Sequence, residues 1–404
     1  MKTFDQNTPD MFEQKAPAMG ENIWTKSFIL LMLAHLSVNI SFYASMPVYA
    51  MFLEDNFHLS GTILGAAVAC YTATAIIARL PAGFCLDRYG RKRVYLPACC
   101  FFGVIYFLYP LSDTAIMSTI ARVLHGALWG VTMGAAFTTA VDLLPASRRG
   151  EGIGYFGFAM VLGMAAGPGL GSLIAEICGY RFLFAACGVL AFSGFVLLCL
   201  VIFPVVTGKT EPASLMDSLL EKSSLPASLA TLIFCIPYGI VMGYTGLFAR
   251  DIPGASAGFF FFLFASGTAL ARLFCGKTFD RSGPAHVMTL GYIFLFSGCF
   301  SLAIAGGALF FSLGGLCLGL GFGIAVPVVE AMINNLAPPA RRGAANATMM
   351  TAFDLGICLG LLVISPIQAR FGWGATYIVL CGCVGISALV FHRITLPRYA
   401  ANSR

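Results

Sequence analysis

Long apolar runs separated by short polar breaks dominate the chain, and their spacing predicts twelve helices. The runs fall at 28–53, 60–82, 93–111, 114–144, 152–177 and 181–203, then at 226–248, 254–276, 286–305, 308–336, 344–369 and 374–394. A membrane-spanning helix needs about 20 mostly apolar residues to cross about 30 Å of hydrocarbon. Only helices and closed barrels satisfy their backbone polar groups in lipid, and a barrel would show alternating segments of about ten residues. Unbroken runs decide for helices. The fold class is therefore an all-α polytopic membrane protein with twelve transmembrane helices. Residues 1–27 read as a polar N-terminal tail, 28–204 and 226–395 as two six-helix bundles, and 396–404 as a C-terminal tail. Between the bundles, 205–225 is a polar linker. Ser214-Leu-Met-Asp217 resembles a helix start there, and Leu215, Met216, Leu219 and Leu220 form an apolar face suited to a short surface helix.

The two bundles repeat one register. Gly83, Asp87, Arg88 and Gly90 recur as Gly276, Asp280, Arg281 and Gly283, an offset of 193. At the same offset Arg79 answers Arg272, Arg148-Arg149-Gly150 answers Arg341-Arg342-Gly343, Gly163 and Gly167 answer Gly356 and Gly360, and Gly179 answers Gly372. Two bundles related by duplication explain this, and such pairs place a substrate site between them near the bilayer midplane.

Composition agrees, with 10% charged and 58% hydrophobic residues. A soluble domain carries roughly a quarter charged residues. The net charge of +6 is a matter of topology, not of nucleic-acid binding. Arg88, Arg91, Lys92, Arg93, Arg148, Arg149, Lys209, Lys222, Lys277, Arg281, Arg341 and Arg342 share one side, against Arg181, Arg250 and Arg370 on the other. The positive-inside rule puts both termini in the cytoplasm, with no signal-peptide pattern at the start. The fourteen Cys lie mostly within apolar runs without CxxC spacing, so no metal or redox site is expected.

The motifs name the family that the chain resembles. Gly83-x-x-x-Asp87-Arg88-x-Gly90-Arg91-Lys92-Arg93 resembles the loop 2–3 signature of the major facilitator superfamily. Arg122-Val-Leu-His125-Gly126 resembles that family's Arg-x-x-Gln-Gly motif, with His replacing Gln. Gly163-Met-Ala-Ala-Gly167-Pro168-Gly169-Leu-Gly171 resembles the helix 5 motif of proton-coupled drug exporters. Arg79-Leu-Pro81 and Phe353-Asp354-Leu-Gly356 resemble the bacterial sugar-efflux and drug-efflux branch.

The resemblance implies a conformational latch on the cytoplasmic side, formed by Gly83, Asp87, Arg88, Gly90 and Arg91 with Asp142, and by Gly276, Asp280 and Arg281. Asp87 would face the N-terminal end of a second-half helix, helix 11, where a carboxylate is stabilised. A plain topogenic loop is the alternative, and Asp142 could form a gate salt bridge or only solvate a helix end. The later basic cluster is missing after Gly283, so the first latch is expected to be the stronger. The helix 5 glycines with Pro168 would make a bend and a tight contact with a second-half helix.

Arg122 lies within helix 4 without a charged sequence neighbour, which is costly in a membrane unless it is paired. Arg122, His125, Trp129 and Thr132 fall on one helical face. The resemblance implies that Arg122 couples protonation to conformation; capping backbone carbonyls is the alternative. His35, Asn39 and Tyr43 in helix 1, and Tyr238, Met242 and Thr245 in helix 7, form further polar stripes, either lining a cavity or bonding between helices. Asp354 follows Asn346 and Met350 on one face of helix 11, and Glu330 lies in helix 10 with Pro327 and Asn334. Burial disfavours the charged form of a carboxylate, so such groups can exchange protons near neutral pH, unless both are permanently paired.

The expectation is a proton-driven exporter of a small molecule in the bacterial inner membrane, working by alternating access. It would need no cofactor beyond the proton gradient, and would act as a monomer with the lipid bilayer as its setting. A symporter or facilitator taking up a sugar, organic acid or other nutrient is the alternative, and a non-transporting sensor a third. An enzyme is not expected, because no nucleophile, base and orienting group occur together.

Overall fold

A computed structural model describes residues 22–203, 221–338 and 342–402. Among the described residues all regular structure is helical. Helix α1 spans Lys26–Phe57, α2 Gly61–Tyr89, α3 Arg91–Ile105 and α4 Ala115–Leu143. The helix Arg149–Cys199 is two helices, α5 (149–178) and α6 (180–199), divided at Gly179. In the second half α7 spans Leu225–Asp251, and Ala257–Ala303 divides at Gly283 into α8 (257–282) and α9 (284–303). Helix α10 spans Ala308–Leu336, and the remaining helical residues divide at Gly372 into α11 (342–371) and α12 (373–402).

Four tight turns punctuate this order, each on one glycine. Gly90, Gly179, Gly283 and Gly372 have φ of 87°, 80°, 73° and 77°, with ψ near 150–180°. That region is open to glycine and closed to residues with a Cβ, so each position reverses the chain within one residue. They lie 193 apart between the halves and 89 apart within each half (179 minus 90, and 372 minus 283). The duplication is therefore doubled: each bundle consists of two three-helix units.

Several expected boundaries move. Gly83–Tyr89 is the last part of α2 and not a loop, because Gly90 is the first residue there to leave the helical region. Helix α3 ends early, passing into a 3-10 turn at Tyr106–Leu108, and α12 continues through the expected C-terminal tail to Asn402. The surface helix expected around Ser214 lies outside the described residues; Glu221 starts the 3-10 turn Lys222–Ser224 that leads into α7. Among the described residues, nine helical segments are long and apolar enough to cross a membrane. Two of these are the joined pairs α5–α6 and α11–α12, and α3 falls short of that length with 15 residues.

Glycine packing builds each bundle in the same way. A Cβ on Gly163 would lie 2.6 Å from Asn39 Cβ of α1, and one on Gly167 2.6 Å from Tyr43 Cβ. Their counterparts Gly356 and Gly360 seat α11 on α7, where a Cβ would lie 2.3 Å from the Leu232 and Ile236 carbonyl oxygens. Likewise Gly126 and Gly130 press α4 onto α2 at Tyr71 and Ala75, and Gly319 presses α10 onto α8 at Phe264. Small residues let backbones approach closely where no hydrophobic force drives helix association.

The helix ends define two faces. One, the basic end, carries Gly90, Gly283 and the described start and end of the chain. The opposite end carries the α1–α2, α5–α6 and α11–α12 turns. Contacts between the halves are described toward that opposite end. Gly61 meets Ala369, Gly65 meets Ser365, Gly169 meets Gly258 and Phe261, and Gly246 meets Met51.

Candidate translocation and gating site

One contact between the halves is electrostatic. Arg79 Nη1 of α2 lies 2.7 Å from Asp354 Oδ2 of α11. Both side chains keep 18% exposure, so the pair is sheltered but reachable by solvent. Tyr43 of α1, Cys235 of α7 and Cys358 of α11 lie close enough to Asp354 to feel its charge. Tyr238 of α7 completes the surround, packed on Phe353 at 5.4 Å and Phe322 at 4.9 Å, with a buried hydroxyl that has no partner among the described residues. Residues from both halves thus converge on one ion pair.

The repeat makes this pair one-sided. Arg272 occupies the place of Arg79, but the position 193 before Asp354 is Val161. Arg272 instead interacts with Glu330, on α10 of its own half. The position 193 before Glu330 is Phe137, which packs with His35 and Phe156 in the first half. Arg79 and Arg272 thus hold matching places on the second helix of each half, and of these two Arg79 is the one that reaches across the interface.

The polar stripe His35, Asn39 and Tyr43 does not line one surface. His35 is fully buried inside the first bundle, stacked on Phe156 at 4.2 Å and edge-on to Phe137 at 5.7 Å. Asn39 is buried too and donates to the His35 carbonyl at 2.7 Å, whereas Tyr43 lies near the ion pair. The physical reason is α5, whose glycines draw it against that face of α1. On α4, His125 and Thr132 are fully buried and Trp129 stacks on Phe42 at 4.0 Å, so this face is also interior to the first bundle. Arg122 is fully buried between the rings of Tyr49 and Tyr71, 4.3 and 4.4 Å from their centroids. In α7, Met242 is buried and Thr245 donates to the Val241 carbonyl at 2.6 Å. Met350 is partly buried against the core, and Asn346 donates to Asn334 of α10 at 2.9 Å.

The contact expected between the helix 5 motif and the second half needs correcting. Gly163, Gly167 and Gly171 all pack on α1 of the same half, and of the motif's glycines only Gly169 approaches α8. The stripe faces α1 because its four-residue spacing keeps one side of α5 free of side chains, and α1 fills that side. Pro168 is inside α5.

At the basic end, Asp142 forms an ion pair with Arg91 Nε at 2.8 Å, joining α3 to α4 within the first half. The Arg88 guanidinium lies 5.8 Å from the rings of Phe84 and Tyr89, and a Cβ on Gly83 would meet open space. The side chains of Asp87, Gly276, Asp280 and Arg281 lie outside the described residues.

A clasp at the opposite end went unseen in the sequence. Arg250 of α7 donates to Asp55 of α1 through Nη1 at 2.7 Å and Nη2 at 2.6 Å, and Nη2 also donates to the Tyr180 hydroxyl at 2.9 Å. Tyr180 in turn donates to Asp55, and Glu54 lies 3.5 Å from Arg250. Close by in sequence, Trp373 Nε1 donates to Asp251 at 2.6 Å. The signal was the lone Arg in a turn poor in basic residues, near in level to two adjacent acids.

Comparison with known proteins agrees with this architecture. The family model described as Major Facilitator Superfamily matches residues 31–248 and 227–404. The chain is 24% identical over 390 residues to multidrug resistance protein MdtG of Escherichia coli, covering 91% of this chain and 93% of that protein. It is 34% identical over 125 residues to multidrug resistance protein 1 of Bacillus subtilis, a match that covers 31% of this chain and 32% of that protein. A solved D-xylose-proton symporter superposes with a TM-score of 0.78 at 18% identity, covering 94% of this chain and 99% of that one.

Proposed function

Because the chain belongs to the major facilitator superfamily of membrane transporters, we propose that it exports a small molecule in exchange for protons. The observation that carries the reading is the ion pair Arg79–Asp354, which joins the halves inside the membrane-spanning region beside Tyr43 and Tyr238. A carrier changes state only if a ligand binds its states with different affinity. Protonating Asp354 removes the charge that Arg79 holds, and so loosens one tie between the halves. Substrate bound beside the same pair would compete with the proton.

In the state described, the halves meet through the opposite end, where Arg250 grips Asp55. With the basic end facing the cytoplasm of a bacterial inner membrane, this is a state closed to the outside. The outward-facing state requires that clasp to open while the latch around Asp87 closes. Glu330 beside Arg272 is the second candidate for the proton, and Arg122 would act on the interface only through the packing of the first bundle. MdtG and the Bacillus protein are named for multidrug resistance, which supports export.

The test is transport in proteoliposomes under an imposed pH gradient. Gradient-driven flux should be lost in Asp354→Asn while substrate exchange at equal pH persists; unchanged gradient-driven flux would remove Asp354 from the mechanism. One observation favours a second reading, uptake by symport or facilitated diffusion. The motif glycines Gly163 and Gly167 have counterparts with the same packing at Gly356 and Gly360, so they serve bundle assembly and say less about exchange. The direction of flux in whole cells decides between the two.

A further inference from the structure

We propose that the first bundle contains a buried site for a small monoanion, a halide ion or a single carboxylate group, at Arg122. This goes beyond the coupling pair and stands even if Asp354 carries no proton.

The Arg122 side chain is fully buried, and among the described residues no carboxylate is paired with its Nε, Nη1 or Nη2; the Tyr109 hydroxyl oxygen is the neutral group placed beside it. The described carboxylates of the interior are engaged elsewhere, Asp354 by Arg79 and Glu330 by Arg272. The faces of the guanidinium are covered by Tyr49 and Tyr71 at 4.3 and 4.4 Å. Such ring contacts compensate only part of the cost of a buried charge, and they leave the N–H groups around the rim unanswered.

Among the described residues the neighbouring polar groups are neutral: the Tyr109 oxygen can accept from Arg122, and the others bring further donors. Tyr71 has a buried hydroxyl without a partner among the described residues. The Tyr109 hydroxyl lies 2.8 Å from His125 Nδ1; when it donates there, neutral His125 carries its proton on Nε2, which is also buried and unpartnered. Tyr49 is already bonded to Ser118. The close approach of α4 to α2 that sets Tyr71 under Arg122 is fixed by Gly126, where a Cβ would stand 2.2 Å from the Tyr71 carbonyl oxygen. A fully buried cation with no carboxylate partner among the described residues, beside the unanswered Tyr71 hydroxyl and His125 Nε2, calls for a compact negative acceptor. The second bundle has no such cluster, since Gly315 stands at the position 193 beyond Arg122.

Thermal unfolding of the purified full-length chain tests this. Sodium gluconate is replaced at constant ionic strength by sodium chloride, sodium bromide or sodium acetate. A saturable rise in melting temperature is expected. A rise with chloride and bromide alone identifies a resident halide, and a rise with acetate as well identifies a carboxylate site open to an acidic substrate. Tyr71→Phe should raise the half-saturating concentration about tenfold, as loss of one hydrogen bond to a charged group predicts, and Arg122→Gln should abolish the effect. If Arg122→Gln does not fold, Tyr71→Phe decides alone. No saturable anion effect on the native chain, or one that Tyr71→Phe leaves unchanged, overturns the proposal.

Discussion

Arg250 holds Asp55 through two hydrogen bonds of 2.7 and 2.6 Å, so the end of α7 is tied to the end of α1 across 195 residues of sequence. The two halves belong to separate bundles, and no backbone link near this end keeps them together. The clasp is planar and bidentate, the geometry in which an arginine–carboxylate pair is strongest, and Tyr180 adds a third link from the α5–α6 turn.

Breaking this clasp should open that end. The pair is 37–40% exposed, so its contribution is about 1 kcal/mol or less, and Asp55→Asn should shift the balance of states by up to about fivefold. Distances between spin labels on the α1–α2 turn and the α7 end report it. Longer distances in Asp55→Asn, restored by the swap Asp55→Arg with Arg250→Asp, are expected. Distances that do not change would mean that packing alone keeps this end shut.

The pair Arg79–Asp354 should couple energetically in a way a surface pair does not. Losing either partner leaves the other charge sheltered and uncompensated. A double-mutant cycle with Arg79→Gln and Asp354→Asn should show a coupling energy of about 0.5–3 kcal/mol in stability, the double variant being less damaged than the sum of the singles. Additive effects would show that the 2.7 Å contact carries no weight.

The duplicated glycines make a prediction about assembly. A Cβ has no room at Gly163 against Asn39, nor at Gly356 against Leu232, whereas Gly154 has nothing within 4 Å. Gly163→Ala and Gly356→Ala should each lower stability by about 1–3 kcal/mol, the usual cost of overpacking, and Gly154→Ala should be neutral. The melting temperature measures this. Loss of transport in Gly163→Ala with an unaltered melting temperature would return the motif to a role specific to exchange.

Much of the fold was legible because a membrane imposes it. Run length and the 193-residue register marked twelve helices and two halves, and local breakers marked the ends. The 89-residue repeat was hidden, because glycines carry it (Gly61, Gly150, Gly254 and Gly343 as well as Gly90, Gly179, Gly283 and Gly372) and single glycines are too common to stand out. The site was less legible. Helical spacing put His35 and Tyr43 on one stripe, but which neighbour covers each residue depends on helix placement: α4 and α5 enclose His35, and the second half approaches Tyr43. Arg79 stood out in the sequence only as the counterpart of Arg272 and as part of the Arg79-Leu-Pro81 motif. Its partner Asp354 lies 275 residues away (354 minus 79), a distance over which no local pattern speaks.

The asymmetry of the two arginines ranks the two membrane acids. Glu330 and Arg272 lie within electrostatic reach of each other inside one bundle, so neutralising Glu330 removes a charge that compensates Arg272 without touching the interface between the bundles. Arg272 Nε already lacks a hydrogen-bond partner there. Glu330→Gln should therefore reduce folded yield and thermal stability, and Glu330→Gln with Arg272→Gln should recover them, since the charge and its partner leave together. Asp354→Asn, by contrast, alters a tie between the two bundles, which the proposed cycle would separate. It should spare yield and remove the dependence of flux on the pH gradient. Size-exclusion profiles and gradient-driven flux on the same preparations compare the two. If Glu330→Gln folds normally and loses gradient dependence while Asp354→Asn keeps it, the proton site is Glu330 and the interface pair is only a brace.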